Sequence, residues 1–196
     1  MKNLSRILLG LSIIVLGACT STHIPPADPN QGDLSQSQIG QLSQKKLHVP
    51  CRVEVHCVDT IKGDSNATWR DHYYTYPLQQ ILTSSFNSAI YAAFDQPGSE
   101  VVDAFTVYVT VPESRFIYTG SGDCEYKLQV IVRFDEPGEK KITAFTLDQS
   151  FEGKITNYDA VPPVVYDASR SLAYRAIETI IKNPKVIKTV KRFEEK

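Results

Sequence analysis

From Cys124 to Phe134 every second residue is apolar: Cys124, Tyr126, Leu128, Val130, Val132 and Phe134, with Glu125, Lys127, Gln129 and Arg133 among the residues between. A sustained period of two is the mark of a strand with one face in a core and the other toward water. The pattern recurs in residues 51–58, where Cys51, Val53, Val55 and Cys57 alternate with Arg52, Glu54 and His56. It recurs in residues 104–111, where Phe105, Val107, Val109 and Val111 alternate with Ala104, Thr106, Tyr108 and Thr110. After the turn residues Asp135-Glu136-Pro137-Gly138, Phe145, Leu147 and Phe151 share a face within residues 141–153.

Two segments switch to the helical period. Pro77 opens the first, where a missing N–H costs nothing, and Leu78, Ile81, Leu82, Ser85, Phe86, Ala89, Ile90, Ala93 and Phe94 form one stripe. Gln96-Pro97-Gly98 ends it. The second runs from about Pro163 to Lys182, with Val165, Ala168, Leu172, Ala176, Ile177 and Ile180 inward and Asn183-Pro184 as its stop. Residues 59–76 read as a polar, aromatic loop and Arg115 to Gly122 as a bend. The order β-α-β-β-β-α predicts an α+β domain, a four-stranded mostly antiparallel sheet with two helices packed on one face. The other sheet face is then polar and either open or covered by a partner.

The N-terminus sets the location. Lys2 and Arg6 precede a short apolar stretch from Ile7 to Val15, too short to span a bilayer and right for a signal h-region. Leu16-Gly17-Ala18-Cys19 follows and resembles the lipobox of bacterial lipoproteins. That resemblance implies cleavage before Cys19, diacylglycerol on its sulfur and acylation of the new amino terminus. Three acyl chains exceed the two that stable anchoring needs. Thr20, where an Asp would favour the inner membrane, implies by the same resemblance the outer membrane, with the domain facing the periplasm. Residues 20–46, rich in Ser, Gln and Pro, read as a flexible tether with a typical span near ~30 Å. The chain thus divides into a signal peptide (1–18), a lipidated N-terminus and tether (19–46), a periplasmic domain (47–184) and a basic C-terminal segment (185–196).

Charge excludes one class of function. The whole chain carries 21 basic and 22 acidic residues, and loss of Lys2 and Arg6 takes the net charge from −1 to −3. Such a balance does not hold nucleic acid by bulk charge. The C-terminal segment departs from it: Lys185, Lys188, Lys191 and Arg192 surround Val186, Ile187, Val190 and Phe193. A basic amphipathic helix of this kind lies on anionic lipid or a partner, or docks on its own domain by its apolar face.

The layout over residues 50–184, behind a lipobox and tether, resembles the ABC-type transport auxiliary lipoproteins and the YajG-type lipoproteins. The resemblance rests on Trp69 before Tyr76-Pro77-Leu78, the strand Thr106-Val107-Tyr108-Val109-Thr110, a bend, a hairpin and a closing helix. It implies a non-enzymatic accessory of an envelope system that moves or assembles lipid. Its partners would be a protein of the cell envelope, a phospholipid, and the membrane itself through Cys19.

No catalytic or metal-binding constellation accompanies it. There is no C-x-x-C, H-E-x-x-H, P-loop or G-x-S-x-G, and the four histidines are dispersed. A non-catalytic protein with no metal and no cofactor is expected. A thiol-dependent envelope enzyme built on Cys124, which follows Gly120-Ser121-Gly122-Asp123, and a structural cell-wall-associated lipoprotein are the alternatives. An oxidising compartment permits a disulfide from Cys124 to Cys51 or Cys57, and three buried thiols are the other reading. The candidate partner-binding residues are Trp69, Arg70, Tyr73 and Tyr74, extended by Arg115, Phe116 and Tyr118, because Trp, Tyr and Arg anchor interfaces.

Overall fold

The computed structural model describes residues 28–65, 72–98, 103–118, 123–138, 140–154 and 161–195. A 3₁₀ turn, Pro29–Gly32, leads into α1 (Gln36–Ser43), β1 (Leu47–His56), β2 (Thr60–Ser65) and β3 (His72–Thr75). There follow α2 (Leu78–Ala93), the two-residue β4 (Phe94–Asp95), β5 (Phe105–Tyr118), β6 (Asp123–Glu136) and β7 (Lys140–Lys154). The chain closes with α3 (Val161–Lys182) and α4 (Pro184–Glu194). The class is α+β, but the four-stranded antiparallel sheet with two helices is overturned. Among the described residues there are four α-helices and one mixed, curled sheet of six strands, with β4 added against Leu47 and Pro50 of β1.

The strand periodicities locate the sheet correctly and underestimate it. β5, β6 and β7 form an antiparallel meander of 14 to 15 residues each. On its other edge β5 pairs in parallel first with β1, from Cys51↔Phe105 to His56↔Thr110, and then with β2, from Lys62↔Arg115 to Ser65↔Tyr118. β1 and β2 are therefore two stretches of one lane, interrupted at residues 57–59. Opposite the interruption β5 carries a bulge, because Thr110 pairs with Ile131 but Glu113 with Gln129. One extra residue reverses the faces of the strand. Phe105, Val107 and Val109 point into the core before it, and Phe116 after it. That reversal hides the second half of β5 from a period-two reading. Pro112 sits at this break, where its missing N–H forfeits no regular ladder bond.

α2 and α3 lie side by side on the inner face of the sheet, with Leu78, Ile81, Leu82, Phe86, Ile90, Leu172, Ala176, Ile177 and Ile180 fully buried. Within the tether expected over residues 20–46, the 3₁₀ turn and α1 are structured. Ser35 and Gln38 form a reciprocal capping box at the start of α1, and Leu34 and Leu42 are in the core. Gly32 fits against α2 so closely that a Cβ there would lie 3.0 Å from the Ile81 carbonyl oxygen. The C-terminal segment is a helix, α4, docked by its apolar face: Val186 and Val190 are buried and Phe193 meets Phe105 edge-on at 5.3 Å. No helix among the described residues is long and apolar enough to cross a membrane.

Candidate interaction surface

Among the described residues the helices cover only the inner face of the sheet. The register builds the other face in rows: Arg52 beside Thr106, Glu54–Tyr108–Arg133–Ala144, His56–Thr110–Ile131–Thr146, and Lys62–Arg115–Lys127–Ser150. The guanidinium of Arg133 stacks over the ring of Tyr108 at 4.3 Å and reaches Asp135 at 3.0 Å. Asp135 is buried, so this ion pair ties the Tyr108 row to the frame of the sheet. Arg52 Nε donates to Thr106 Oγ1 at 3.2 Å in the adjoining row. Ile131, 42% exposed, stands in the row next to Tyr108 and Arg133. A half-buried Tyr beside an exposed Arg and Ile, on a sheet face that no helix covers among the described residues, has the residue character of an interface core.

Of the residues expected to bind a partner, Arg115 is on this face, paired with Glu113 at 2.5 Å and level with Lys62 and Lys127. Phe116 is not available: it is 1% exposed and stacked on Tyr126 at 4.7 Å, so its assignment to a binding patch is corrected to core. Tyr118 is the last residue of β5 and pairs with Ser65 and Cys124. Tyr73 and Tyr74 lie in β3, opposite Lys62 and Ile61. The backbone thus brings β3 and the end of β5 to one end of the sheet. Trp69, Arg70 and Cys19 lie outside the described residues. Tyr108, Ile131 and Arg133 were missed as a site. The alternation that exposed them was visible, but a polar strand face is by itself unremarkable until the register aligns Tyr108 with Arg133.

Of the two readings of the cysteines, a bridge from Cys124 to Cys51 or Cys57 is not formed. Cys51 and Cys57 are free thiols. Cys51 pairs with Phe105 and Cys124 with Tyr118, at opposite ends of β5 and so about 40 Å apart. Cys57 follows His56, which pairs with Thr110, eight residues short of Tyr118 along β5, about 25 Å. Neither distance permits a disulfide to Cys124. Burial raises the Cys51 thiol strongly, and burial together with the nearby Asp59 carboxylate pushes Cys57 up to about 12. Near Cys57 the core holds a tyrosine group. Tyr126 shares a hydrogen bond with Ser114 at 3.0 Å, and the buried Tyr76 hydroxyl lies close to Tyr126 and Tyr166, all raised by burial. Among the described residues no three His, Cys, Asp or Glu side chains are grouped to hold a metal ion.

This geometry has a counterpart among solved structures. The crystal structure of a Xanthomonas campestris protein described as DUF330 superposes with a TM-score of 0.56 at 8% identity, over 76% of this chain and 90% of that one. The two share a fold. A minor lipoprotein from Acinetobacter baumannii gives a TM-score of 0.42 at 12% identity, over 67% of this chain and 91% of that one. No protein-family model matches the sequence, and no curated protein matches it.

Proposed function

We propose that this is a lipid-anchored, non-catalytic protein of the bacterial envelope that binds a protein partner through the open face of its sheet. The observation that carries the reading is that face itself: three long strands that no helix covers among the described residues, with Tyr108, Arg133 and Ile131 presented on one ladder. Supporting it, burial raises the Cys51 and Cys57 thiols well above the ordinary cysteine range, which leaves these two without the thiolate that a nucleophile needs. The lipobox at Leu16–Cys19 supports attachment through Cys19, and Thr20 supports an outer-membrane, periplasm-facing position. The finer role is that of an accessory component in an envelope system that transports or assembles lipid.

The test is photo-crosslinking in cells from Tyr108 and Ile131, each replaced by p-benzoylphenylalanine, with mass spectrometry of the adducts. One specific protein adduct from both positions, lost when Arg133 is replaced, is the expected result. Adducts absent from both positions, or equal to those from an inner-face control, overturn the assignment of this face. Radiolabelled palmitate incorporation, abolished in Cys19→Ala, tests the anchor separately.

A further inference from the structure

The anchor and the fold together fix which end of the domain meets the membrane. This step rests on lipidation at Cys19. α3 is aligned with β7: Asn183 Nδ2 donates to Thr143 Oγ1 at 3.3 Å, and Ser171 Oγ to Gln149 Oε1 at 3.4 Å. The helix rises about 18 Å between those contacts and the strand about 20 Å, so the two run nearly in step. Tyr166, five residues before Ser171, is therefore level with Phe151, Tyr126 and Phe116, close to where β5 ends at Tyr118. The Tyr166 hydroxyl meets the backbone of Asp28, the first described residue. The leader thus joins the body at the end of the sheet that also holds β3 and Tyr118.

The leader is short. From Cys19 to Asp28 full extension reaches only about 32 Å. α4 is capped by Asn183, about 25 Å of helix from Tyr166, and crosses the opposite end between β1 and β7. To stand the domain on its α4 end, the leader would have to pass that length and one helix diameter, about 35 Å in all. That exceeds its reach. We infer that the bilayer is the occupant of the end formed by Asp28, the first turns of α3, β3 and the close of β5. The exposed Lys185, Lys188 and Lys191 of α4 are then held away from the lipid. Of the readings open for this basic helix, the one that lays it on anionic membrane gives way to one in which its charged face meets the aqueous compartment.

The test uses the full-length lipidated protein in phosphatidylethanolamine–phosphatidylglycerol vesicles. p-Benzoylphenylalanine replaces Pro163 or Asp167 at the leader end, or Lys141 or Lys188 at the other; all four sites are exposed. Lipid adducts are counted after irradiation, and the mass of the Cys19 peptide is measured in the same samples. At least five-fold more lipid adduct from Pro163 and Asp167 than from Lys141 and Lys188 is expected. Insertion of about 20 Gly/Ser residues after Thr22 should then level the four sites. Equal or reversed adducts with Cys19 lipidated overturn the orientation and leave the anchor standing. A contrast that survives the insertion also overturns it, because surface chemistry and not leader length would then set the pose. An unlipidated Cys19 peptide removes the anchor itself and, with it, the inference.

Discussion

Asp59 and Gln79 clasp each other across the break between β1 and β2. The Gln79 backbone N–H donates to Asp59 Oδ1 at 2.8 Å, while Gln79 Nε2 donates to the Val55 carbonyl at 3.1 Å. α2 begins after Pro77, which supplies no side-chain cap, so a residue twenty positions earlier does the capping. The same pair also covers a backbone carbonyl of β1. Asp59→Ala should cost about 1 kcal/mol, a fall of some 2–4 °C in Tm for a chain of this size, with Asp59→Asn losing less. Calorimetry on the two variants checks it, and equal losses would show that the carboxylate is not acting as a cap.

Gly32 is the second point where strand, turn and helix leave no slack. A Cβ there would lie 3.0 Å from the Ile81 carbonyl oxygen and 3.1 Å from Ser85 Oγ, and Ser85 Oγ already donates to the Gly32 carbonyl at 2.6 Å. Gly32→Ala should destabilise by about 1–3 kcal/mol through overpacking. Gly40, with nothing within 4 Å of its Cβ position, is the internal control. As a helix-interior glycine its replacement by Ala should be neutral or stabilising. Urea denaturation of both variants tests the contrast.

Cys57 predicts a pH dependence. Its folded pKa, pushed up to about 12 from 9.0, lies above the unfolded value, so the protonated thiol favours the fold. That contribution is fully present below about pH 9 and is lost as pH climbs toward 12. Stability should therefore decline across this window, and less steeply in Cys57→Ala. At pH 8 the folded thiol should alkylate about a thousand-fold more slowly than an unperturbed one. Iodoacetamide kinetics in a Cys19→Ala, Cys124→Ala background read this directly, with fast modification as the contrary result.

α4 is predicted to be part of the cooperative unit. Phe193→Ala should cost about 2 kcal/mol, less than for a fully buried ring because Phe193 is half-buried. A stop codon after Asn183 should lower Tm further, because it removes the buried Val186 and Val190 and uncovers the parts of β1 and β7 on which α4 packs. An unchanged melting curve for the truncation would mean that α4 is only loosely attached.

On the open face, Tyr108→Ala and Ile131→Ser should leave Tm within a few degrees while weakening partner capture at least ten-fold. Pull-down from cross-linked cells under matched expression measures the effect. Loss of folding in either variant would instead assign these residues to stability.

The helices over 78–93 and 161–182 were legible because each keeps one apolar stripe at the helical period. β6 was legible because its alternation is unbroken. α1 was masked by its surroundings: Leu34, Ile39 and Leu42 are diluted by Ser and Gln, although Ser35 and Gln38 spell a capping box. β2 contains Gly63 and Asp64 and is a strand only because β5 and β3 pair with it, a tertiary decision invisible to local propensity. Phe116 looked like a surface aromatic beside Arg115 because the bulge after Thr110 had not been recognised. The Tyr108–Arg133 stack depends on register between strands far apart in sequence, which no single stretch encodes.

That bulge has a further consequence. Between the rows of Thr110 and Arg115 the β1–β2 lane runs from His56 to Lys62, β5 from Thr110 to Arg115, and β6 from Ile131 to Lys127. The lanes are six, five and four residues long, like the bends of a running track, so the irregularities are graded and belong together. Deleting one residue from 57–59 alone would turn Ile61 out to water and Lys62 into the core. Length changes at 57–59 and at 111–112 are therefore tolerated only in combination. Among descendants of a common ancestor the two segments should gain and lose residues together, a trace of curvature readable from alignment gaps alone.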